Sequence, residues 1–315
     1  MRVQMLKEIS WPPVSVGLCV RNNEKTIANV LKSIFDSDYP HDEIEVIVVY
    51  GMCEDKTLDI IKRMSKTTQM SLKLFFDGGK GLARARQIVV ENAQGKYIVW
   101  VDGDSAIPPN LIRNHVQLME SNSGIGVAYP HLLPKGKSVV ARLEGYQWVL
   151  SSLVITDSVR RKGKLGIFGS VCRIEAIKEV GGFDASIKGA GEDVDLFIRI
   201  GAEGWDIVRN KETTVFHFMR DTWKSLWRES CWWGYSTPYL ANKHKRYFPN
   251  FAQRVGLNLI YCVRVTIKSM MVTRDKVCLL MPVHFLFRRL GFLVGHMNAY
   301  KDIKKRALAR NSLNK

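Results

Sequence analysis

Short apolar runs alternate with amphipathic helical patterns over the first hundred residues. Four runs are rich in β-branched or aromatic residues and bounded by polar turns, which is typical of buried strands; they are VSVGLCV (14–20), IEVIVVY (44–50), LKLFF (72–76) and YIVWV (97–101). The segments between them, 24–36, 55–66 and 82–93, place apolar residues three and four positions apart, as amphipathic helices do. This order predicts an α/β fold with a mostly parallel sheet flanked by helices, and ligands at the carboxyl ends of the strands.

The pattern changes further along the chain. It predicts a helix over 138–155, a basic loop over 160–166, a strand over 167–172 and a short helix that ends at VGGFD (180–184). From about residue 221, four tryptophans fall within eleven positions and long apolar helical patterns with scattered cations follow. We therefore expect a catalytic domain over 1–220 and a basic helical region over 221–315.

The basic region carries two apolar segments that bear on membranes. Residues 254–275 form a cationic amphipathic pattern that suits the membrane interface, or else a helix packed on the core. Residues 277–287 and 290–300 are apolar but separated by Arg288 and Arg289. Eleven helical residues reach only about 16 Å, half of a ~30 Å hydrocarbon core, so spanning is disfavoured. Shallow or re-entrant insertion is the remaining expectation, and the tryptophan cluster supports an interfacial position.

Composition and charge narrow the class of protein. A chain of 315 residues with 46% hydrophobic content can build a sizeable core, which excludes a disordered or fibrous protein. The net charge is +17, and residues 205–315 hold 21 Lys and Arg against 6 Asp and Glu. This block could attract nucleic acid, an anionic membrane or a phosphorylated substrate. Six dispersed cysteines and an N-terminus without an apolar core predict a reducing, cytosolic compartment.

The strongest local signal for chemistry is VDGDS, directly after the strand at 97–101. Asp102 and Asp104 stand one residue apart on a turn that leaves the sheet. Two such carboxylates can present oxygens to a hard divalent cation and a polar ligand group, as magnesium or manganese on a diphosphate requires. The alternative is an ordinary turn, since Asp and Gly both favour turns.

The order and spacing of six motifs strengthen the interpretation of VDGDS as a functional turn. They are SVGLCVRNNE (15–24), GMCEDKT (51–57), KGLARARQ (80–87), QGKYIVWVDGDS (94–105), VGGFD (180–184) and GEDVDLFIRIGAEGW (191–205). In this order the chain resembles family-2 glycosyltransferases, with their Rossmann-like GT-A fold, over about residues 13–218. The resemblance implies transfer of a sugar from a nucleoside diphosphate donor, inversion at the anomeric carbon, and a divalent metal, Mn²⁺ or Mg²⁺.

The resemblance assigns the donor side residue by residue. It implies that Asp102 approaches the ribose or sugar of the donor and that Asp104 ligates the metal that bridges the diphosphate. Asp55 matches an aspartate that contacts the nucleotide, although it could equally cap the following helix. Arg86, in the KGLARARQ segment, could neutralise the diphosphate, as could Arg84, and a solvated helix face is the alternative.

Two segments depart from the family pattern. Tyr50 and Gly51 stand where many members carry acidic residues after the second strand, so Tyr50 could stack on or hydrogen-bond the nucleotide instead. Gln87 and Val89 replace the usual asparagine and glycine. These departures leave the identity of the base open.

The acceptor side lies later in the chain. Asp193 matches the family's general base, which takes the proton of the acceptor hydroxyl, and Glu192 is placed on the acceptor side. Both could instead serve as acidic residues at a helix N-terminus. His217 matches a histidine that completes the metal site in many GT-A enzymes, or is a packing residue. Arg173 belongs to a segment that often forms the acceptor-side wall.

The sequence therefore predicts an inverting, metal-dependent glycosyltransferase. Its expected partners are a nucleoside diphosphate sugar, a polyprenyl-linked or glycan acceptor and an anionic membrane surface, with no nucleic acid, at the cytoplasmic face of the cell membrane. Two alternative functions remain open. A nucleotidyltransferase that builds a nucleotide sugar also needs metal-binding aspartates, and a basic nucleic-acid-binding protein would use the cationic region but would leave VDGDS and GEDVD without a role.

Overall fold

The computed structural model describes residues 11–153, 166–187, 189–247 and 259–313, without the side chains of 149–153, 259–261 and 306–313. Its strands are β1 (Val14–Val20), β2 (Ile44–Tyr50), β3 (Ser71–Phe76), β4 (Tyr97–Asp102), β5 (Ile125–Lys135), β6 (Val171–Arg173) and β7 (Asp206–Phe218). They form one seven-stranded sheet in the order β3-β2-β1-β4-β6-β5-β7.

Ten α-helices lie in the described part of the chain. The first six are α1 (Ile27–Phe35), α2 (Thr57–Met64), α3 (Leu82–Asn92), α4 (Leu111–Ser121), α5 (Val139–Leu153) and α6 (Ile174–Glu179). The last four are α7 (Glu192–Ala202), α8 (Trp223–Lys243), α9 (Leu259–Thr273) and α10 (Met281–Leu313). Short 3-10 turns cover His41–Glu43, Ser65–Thr67 and Lys276–Leu280.

The predicted α/β sheet is confirmed. Strands β1, β2, β3 and β4 occupy the predicted runs, and the pairs β1–β2, β1–β4 and β2–β3 are parallel. The short β6 pairs antiparallel with β4 and β5. The long strands β5 and β7 were not predicted, because their polar residues interrupt the apolar runs that mark buried strands. The basic loop over 160–166 lies almost entirely outside the described residues.

The parallel strands carry the main core. Val46, Val48 and Val99 are fully buried, as apolar residues on a sheet covered on both faces must be. A Cβ at Gly17 in β1 would lie 2.7 Å from Val89 Cγ1 and 3.0 Å from the Trp100 ring. Val89, which stands where the family usually has glycine, therefore fills space that Gly17 leaves open.

The chain divides into two compact units. The first comprises 1–130, 167–182 and 203–213, and the second comprises 131–166, 183–202 and 214–315. This division describes compactness rather than function, since it assigns α5 and α7 to the same unit as the basic region. The functional boundary between 1–220 and 221–315 stays a prediction.

Helices α8 and α10 pack closely in the second unit. A Cβ at Gly234 of α8 would lie 2.0 Å from the Phe292 backbone oxygen, and one at Gly295 of α10 would lie 1.9 Å from the Cys231 backbone oxygen. Gly291 faces Ser230 in the same way. Small residues four apart let two helix backbones come into direct contact. The two helices therefore form a tight pair.

The prediction of two short apolar segments after residue 276 is wrong. Residues Met281–Leu313 form one helix of 33 residues, about 50 Å long, which continues through Arg288 and Arg289. The break was expected from the cost of two arginines in lipid, but Arg288 binds the buried Glu144 carboxylate at 2.7 Å. Within the described residues, Lys276–Lys305 is long and apolar enough to cross a membrane, with 28% of its most apolar window buried.

Candidate active site

The ends of the parallel strands bring two predicted donor-side residues close to each other. Asp102 ends β4 opposite Cys19 of β1, and Tyr50 ends β2 opposite Val20 of β1. Tyr50 also lies opposite Phe76, the last residue of β3, and the two rings are 5.4 Å apart. The carboxyl edge of the sheet therefore holds the predicted nucleotide contacts in one row, where ligands of open α/β sheets bind.

Arg86 and Asp102 form an ion pair at this edge. The Arg86 side chain, on α3, is 6% exposed, and its Nη2 lies 3.4 Å from Asp102 Oδ1. Asp102 itself is 40% exposed, so its carboxylate can still reach a ligand. A buried guanidinium beside a half-open carboxylate fixes the direction of that carboxylate and adds positive charge next to a site for a polyanion.

The turn after β4 presents Asp104 to solvent. Asp104 is exposed, and the Ser105 hydroxyl donates to its Oδ1 at 3.2 Å. The turn is held by the Thr26 hydroxyl, which donates to the Gly103 carbonyl at 2.8 Å. A Cβ at Gly103 would come within 2.8 Å of Asn23 Oδ1, so a side chain between the two carboxylates would displace Asn23. The turn is therefore both rigid and open, as a metal-binding turn needs to be.

Asp55 ties two loops of the site to each other. Its Oδ1 accepts from the backbone and hydroxyl of Thr57, at 3.0 and 2.6 Å, and its Oδ2 accepts from the Glu24 amide at 3.0 Å. Partial burial opposes ionisation of Asp55, but these hydrogen bonds outweigh it and lower its pKa. The structure therefore contains the capping contacts of Asp55, and the contact of Asp55 with the nucleotide stays a prediction.

Asp77 is a candidate that the sequence reasoning missed. It directly follows β3, as Asp102 ends β4, and it is buried. Its Oδ1 accepts from the Gly79 amide at 2.7 Å, and its backbone amide donates to the Tyr50 carbonyl. Its carboxylate lies beside Gly51. The signal that could have found it is an aspartate at a strand's carboxyl end.

In the second unit, Glu192 and Asp193 begin α7. Asp193 is half-buried and its Oδ1 accepts from the Val194 amide at 2.8 Å. Glu192 is almost completely buried. The acidic first turn suits the positive end of the helix. Of the two, Asp193 has the exposure that a base acting on an external hydroxyl requires.

Asp195 anchors the same turn from within the second unit. It is fully buried and bonded to Arg199 Nη2 at 2.7 Å, Lys243 Nζ at 2.8 Å and His244 Nε2 at 2.6 Å. Burial alone would raise the pKa of Asp195, but these donors lower it. The network joins α7 to the end of α8 and holds the turn that carries Asp193.

Two predicted residues have packing contacts in the structure. The His217 ring stacks on Trp148 with centroids 5.0 Å apart, which supports the packing alternative. Arg173 is buried, donates to the Met119 and Ile125 carbonyls at 2.9 and 3.2 Å, and lies over the Tyr97 ring. These contacts account for the burial of Arg173 and do not support an acceptor-side role. Both functional roles stay predictions.

The carboxyl edge of the sheet, where Asp102 and Asp104 lie, fits a divalent cation that also binds a substrate. No group of three His, Cys, Asp or Glu side chains able to hold a metal occurs within the described ranges. Magnesium and manganese are commonly held by one or two carboxylates together with substrate phosphates. Asp104, exposed on a rigid turn, and Asp102 supply such oxygens. These residues therefore fit a metal that is completed by a diphosphate rather than a closed protein cage.

The second unit contains a cavity that the predicted site residues do not line. It has a volume of about 270 Å³ and lies in the second unit between α5 and α9, where Tyr146, Ser269 and Val272 line it. None of the predicted site residues lines it. We therefore place the candidate site at the strand ends and not in this cavity.

Comparisons with known families agree with this geometry. The model described as glycosyl transferase family 2 matches residues 15–167, and the model described as glycosyl transferase family group 2 matches residues 97–298. The second match alone covers well over half of the chain. The chain belongs to the family-2 glycosyltransferases, as its motifs predicted.

Individual relatives are distant. The chain is 24% identical over 266 residues to the probable glycosyltransferase YdaM of Bacillus subtilis, which covers 81% of this chain and 62% of the relative. It is 25% identical over 214 residues to a beta-monoglucosyldiacylglycerol synthase of Nostoc sp., covering 64% of this chain and 44% of the relative. The chain thus spans about half the length of these two relatives.

Solved structures share the fold. The mannosyltransferase PcManGT from Pyrobaculum calidifontis, in complex with GDP-Man and Mn²⁺, matches with a TM-score of 0.69 at 17% identity, covering 93% of this chain and 88% of that one. A fragment of S. aureus TarS in complex with UDP matches with a TM-score of 0.53 at 14% identity, covering 93% and 91%. The predicted GT-A fold is confirmed.

Proposed function

We propose that the chain is an inverting, metal-dependent glycosyltransferase that moves a sugar from a nucleoside diphosphate sugar to a lipid-linked or cell-envelope glycan acceptor. The observation that carries the proposal is the turn after β4, where Asp102 is held by buried Arg86 and Asp104 is exposed at the carboxyl edge of the sheet. Family membership favours this hypothesis over the nucleotidyltransferase and nucleic-acid alternatives.

On the donor side, each residue has a distinct task. Arg86 orients Asp102, which contacts the ribose or sugar, and the positive charge of Arg86 favours the diphosphate. Tyr50 offers a ring and a hydroxyl to the base, and Asp55 holds the loop that borders it. Asp104 would hold a divalent metal, which would supply positive charge to the leaving diphosphate. The Mn²⁺ and GDP-Man of the PcManGT complex support such a donor.

On the acceptor side, Asp193 acts as the general base. Its carboxylate takes the proton of the acceptor hydroxyl, and the acceptor oxygen forms a bond to the anomeric carbon. The bond from that carbon to the phosphate oxygen breaks, and the nucleoside diphosphate leaves with the electron pair. A single in-line displacement of this kind inverts the anomeric carbon. Asp195 is a positioning residue, because it fixes the turn that carries Asp193.

The acceptor and the location follow from the basic region. Residues 205–315 hold 21 Lys and Arg against 6 Asp and Glu, which suits an anionic membrane surface. The relative from Nostoc is named as a synthase of a glycolipid, which supports a lipid acceptor. We place the enzyme at the cytoplasmic face of the cell membrane, where nucleotide sugars and lipid-linked acceptors meet.

The test combines donor binding with transfer. Thermal stability is measured with UDP, GDP, dTDP and CDP and their sugars, each with and without Mn²⁺, since a ligand at 100 times its dissociation constant adds about 2.7 kcal/mol. We expect one nucleotide to raise the melting temperature only with Mn²⁺. Asp104→Ala should abolish that shift, and Asp193→Asn should keep it while slowing transfer by about 10²–10⁴-fold.

Asp59→Ala is the matched control, because Asp59 is exposed on α2. It should bind donor and transfer sugar like the parent. If both active-site variants transfer as fast as the parent, or if no nucleotide with Mn²⁺ changes the stability, the proposed function is wrong.

A further inference from the structure

Exposed apolar side chains concentrate on one part of the second unit. Eighteen large apolar residues are exposed in the described part of the chain, and twelve of them fall between 263 and 300. We call these twelve the apolar face: Val263, Ile267, Met271, Val272, Leu279, Leu280, Val283, Leu286, Leu290, Val294, Met297 and Tyr300. Scattered single apolar residues are normal on a protein surface, but a continuous set of this size marks an interaction surface.

The apolar face follows helical geometry rather than chance. On α10 its members are three or four residues apart from Val283 to Tyr300, so they form one stripe along the helix. On α9, Val263, Ile267 and Met271 repeat every four residues. The opposite side of each helix is already used: Cys262 and Val265 of α9 pack with Met281 and Phe285 of α10 in a buried cluster. The apolar face is therefore what is left after the unit has packed its own core.

Cations border the apolar face. Arg264 and Lys268 are exposed on α9 beside Ile267, and Arg274 and Lys276 are exposed before the stripe on α10 begins. Lys301, Lys304 and Lys305 are exposed where the stripe ends. Within the described ranges none of these seven cations has an ion pair. The carboxylates of this segment are engaged elsewhere, Asp275 with Arg142 and Tyr146, and Asp302 with Tyr235.

The middle of α10 is fixed to the rest of the second unit. His284 and Arg288 both bind the Glu144 carboxylate of α5, at 2.6 and 2.7 Å. Burial opposes ionisation of Glu144, but its two partners lower its pKa, so the anion is retained. Gly291 and Gly295 press α10 against α8. The Glu144 ion pairs and the contact with α8 therefore leave only the other side of α10 accessible to lipid.

We infer that the apolar face lies flat in the interfacial layer of a bilayer that contains anionic lipids. Apolar side chains enter the region between headgroups and acyl chains, and the bordering cations meet lipid phosphates. This inference rests on the proposed function, which supplies the lipid-linked acceptor. It adds that the apolar face is the surface in contact with the bilayer, that α9 and α10 lie parallel to the bilayer, and that the lipids are anionic. Charge complementarity favours an anionic bilayer over a second copy of this chain, which would bring the same cations together.

The test is flotation of the full-length protein with vesicles of phosphatidylcholine alone or mixed with phosphatidylglycerol. We expect binding to the mixed vesicles that weakens with salt. Arg264→Glu/Lys268→Glu should weaken it about 30-fold or more, because each cation near an anionic surface is worth about 1 kcal/mol and 1.4 kcal/mol is tenfold. Leu286→Glu/Leu290→Glu should also release the protein, through loss of apolar burial.

Matched controls lie outside the apolar face. Lys62→Glu/Arg63→Glu reverses two adjacent exposed cations of α2, and Val139→Glu places a charge at an exposed valine of α5. Both should float like the parent. Circular dichroism and Mn²⁺-dependent nucleotide binding, measured on each variant, separate lost membrane contact from lost folding.

Three outcomes would overturn the inference. One is equal flotation of the face variants and their controls. A second is a change of oligomeric state in the face variants without a change in flotation, which would identify a second copy as the occupant. A third is protection from added protease of a cleavable tag placed after Lys315 on vesicle-bound protein, which would mean that α10 spans. Vesicle binding without nucleotide binding would instead refute the proposed function and keep the inference.

Discussion

At the scale of the residue, the ion pair of Arg86 and Asp102 favours the interpretation of VDGDS as a donor site over an ordinary turn. Turn-forming residues explain the conformation of VDGDS, but they do not explain why a buried guanidinium lies beside Asp102. Burying a charge is unfavourable unless a partner compensates it. Burial of the Arg86 guanidinium is therefore unfavourable by itself, and orientation of Asp102 and attraction of a diphosphate would compensate for it. Arg84, on the same helix, instead pairs with Glu91 at the surface.

This difference predicts opposite results for two arginines on one helix. Arg86→Met should weaken donor binding about tenfold, because a hydrogen bond to a charged group is worth about 1.5–3 kcal/mol and solvent at the half-exposed Asp102 reduces that value. Arg84→Met should leave donor binding unchanged. Isothermal titration with the nucleotide found by thermal shift measures both constants. Equal nucleotide affinities for the parent and Arg86→Met would mean that the ion pair of Arg86 and Asp102 has only a structural role.

At the scale of the element, the pair of α8 and α10 depends on backbone contact. Helix propensity alone predicts that replacing a glycine in the middle of a helix by alanine stabilises it by about 1 kcal/mol. Gly295 should behave in the opposite way, because its Cβ would lie 1.9 Å from the Cys231 backbone oxygen, which cannot rotate aside as a side chain can. The sign of the effect therefore reports the close approach of the two helices.

We expect Gly295→Ala to lower the free energy of unfolding by about 1–3 kcal/mol, the usual cost of overpacking. Asn298→Ala, at an exposed position one turn further along α10, should instead raise it slightly, by up to about 0.7 kcal/mol, because alanine has the higher helix propensity. Differential scanning calorimetry of the two variants measures the change. A stabilised Gly295→Ala would show that the two backbones are further apart than described.

At the scale of the whole molecule, charge is distributed unevenly and makes the protein sensitive to acid. The net charge is +17, so protonation of carboxylates adds to an existing excess of positive charge. Several carboxylates are paired in the fold. Burial would raise the pKa of Asp184, but Lys243 and Ser186 lower it to about 2 from its ordinary 3.8, and Lys243 also binds Asp195.

These pairs give a defined pH dependence. Because the pKa of each carboxylate is lower in the folded state than in the unfolded chain, each stabilises the fold at neutral pH and loses that effect in acid; for Asp184 the loss occurs as the pH falls from its ordinary pKa of 3.8 toward about 2. Lys243→Met should therefore melt at a lower temperature than the parent at pH 7, with a difference that shrinks below pH 4. Lys245→Met, whose cation is exposed and has no ion pair within the described ranges, is the control. A difference independent of pH would mean that Lys243 acts through packing.

The sequence by itself determined the parallel half of the sheet and the family. Runs such as 44–50 are confined to a buried strand because every alternative exposes apolar side chains, and β2 occupies that run residue for residue. The motifs are local, so Asp55, Asp102 and Asp104 were identified by their place after a strand or in a turn. Asp77 was missed although it also follows a strand, because it lies outside the six motifs that carried the resemblance.

Only the tertiary structure decided the roles that depend on distant partners. Arg288 was predicted to break an apolar segment, yet α10 continues because Glu144, 144 residues earlier, compensates its charge. Arg173 was predicted at an acceptor-side wall, a role that stays a prediction, and the structure adds that it donates to the carbonyls of Met119 and Ile125. Hydropathy records how apolar a segment is, whereas the exposed side of a helix depends on what packs against its other side. The apolar face of α9 and α10 therefore became visible only after their buried contacts were known.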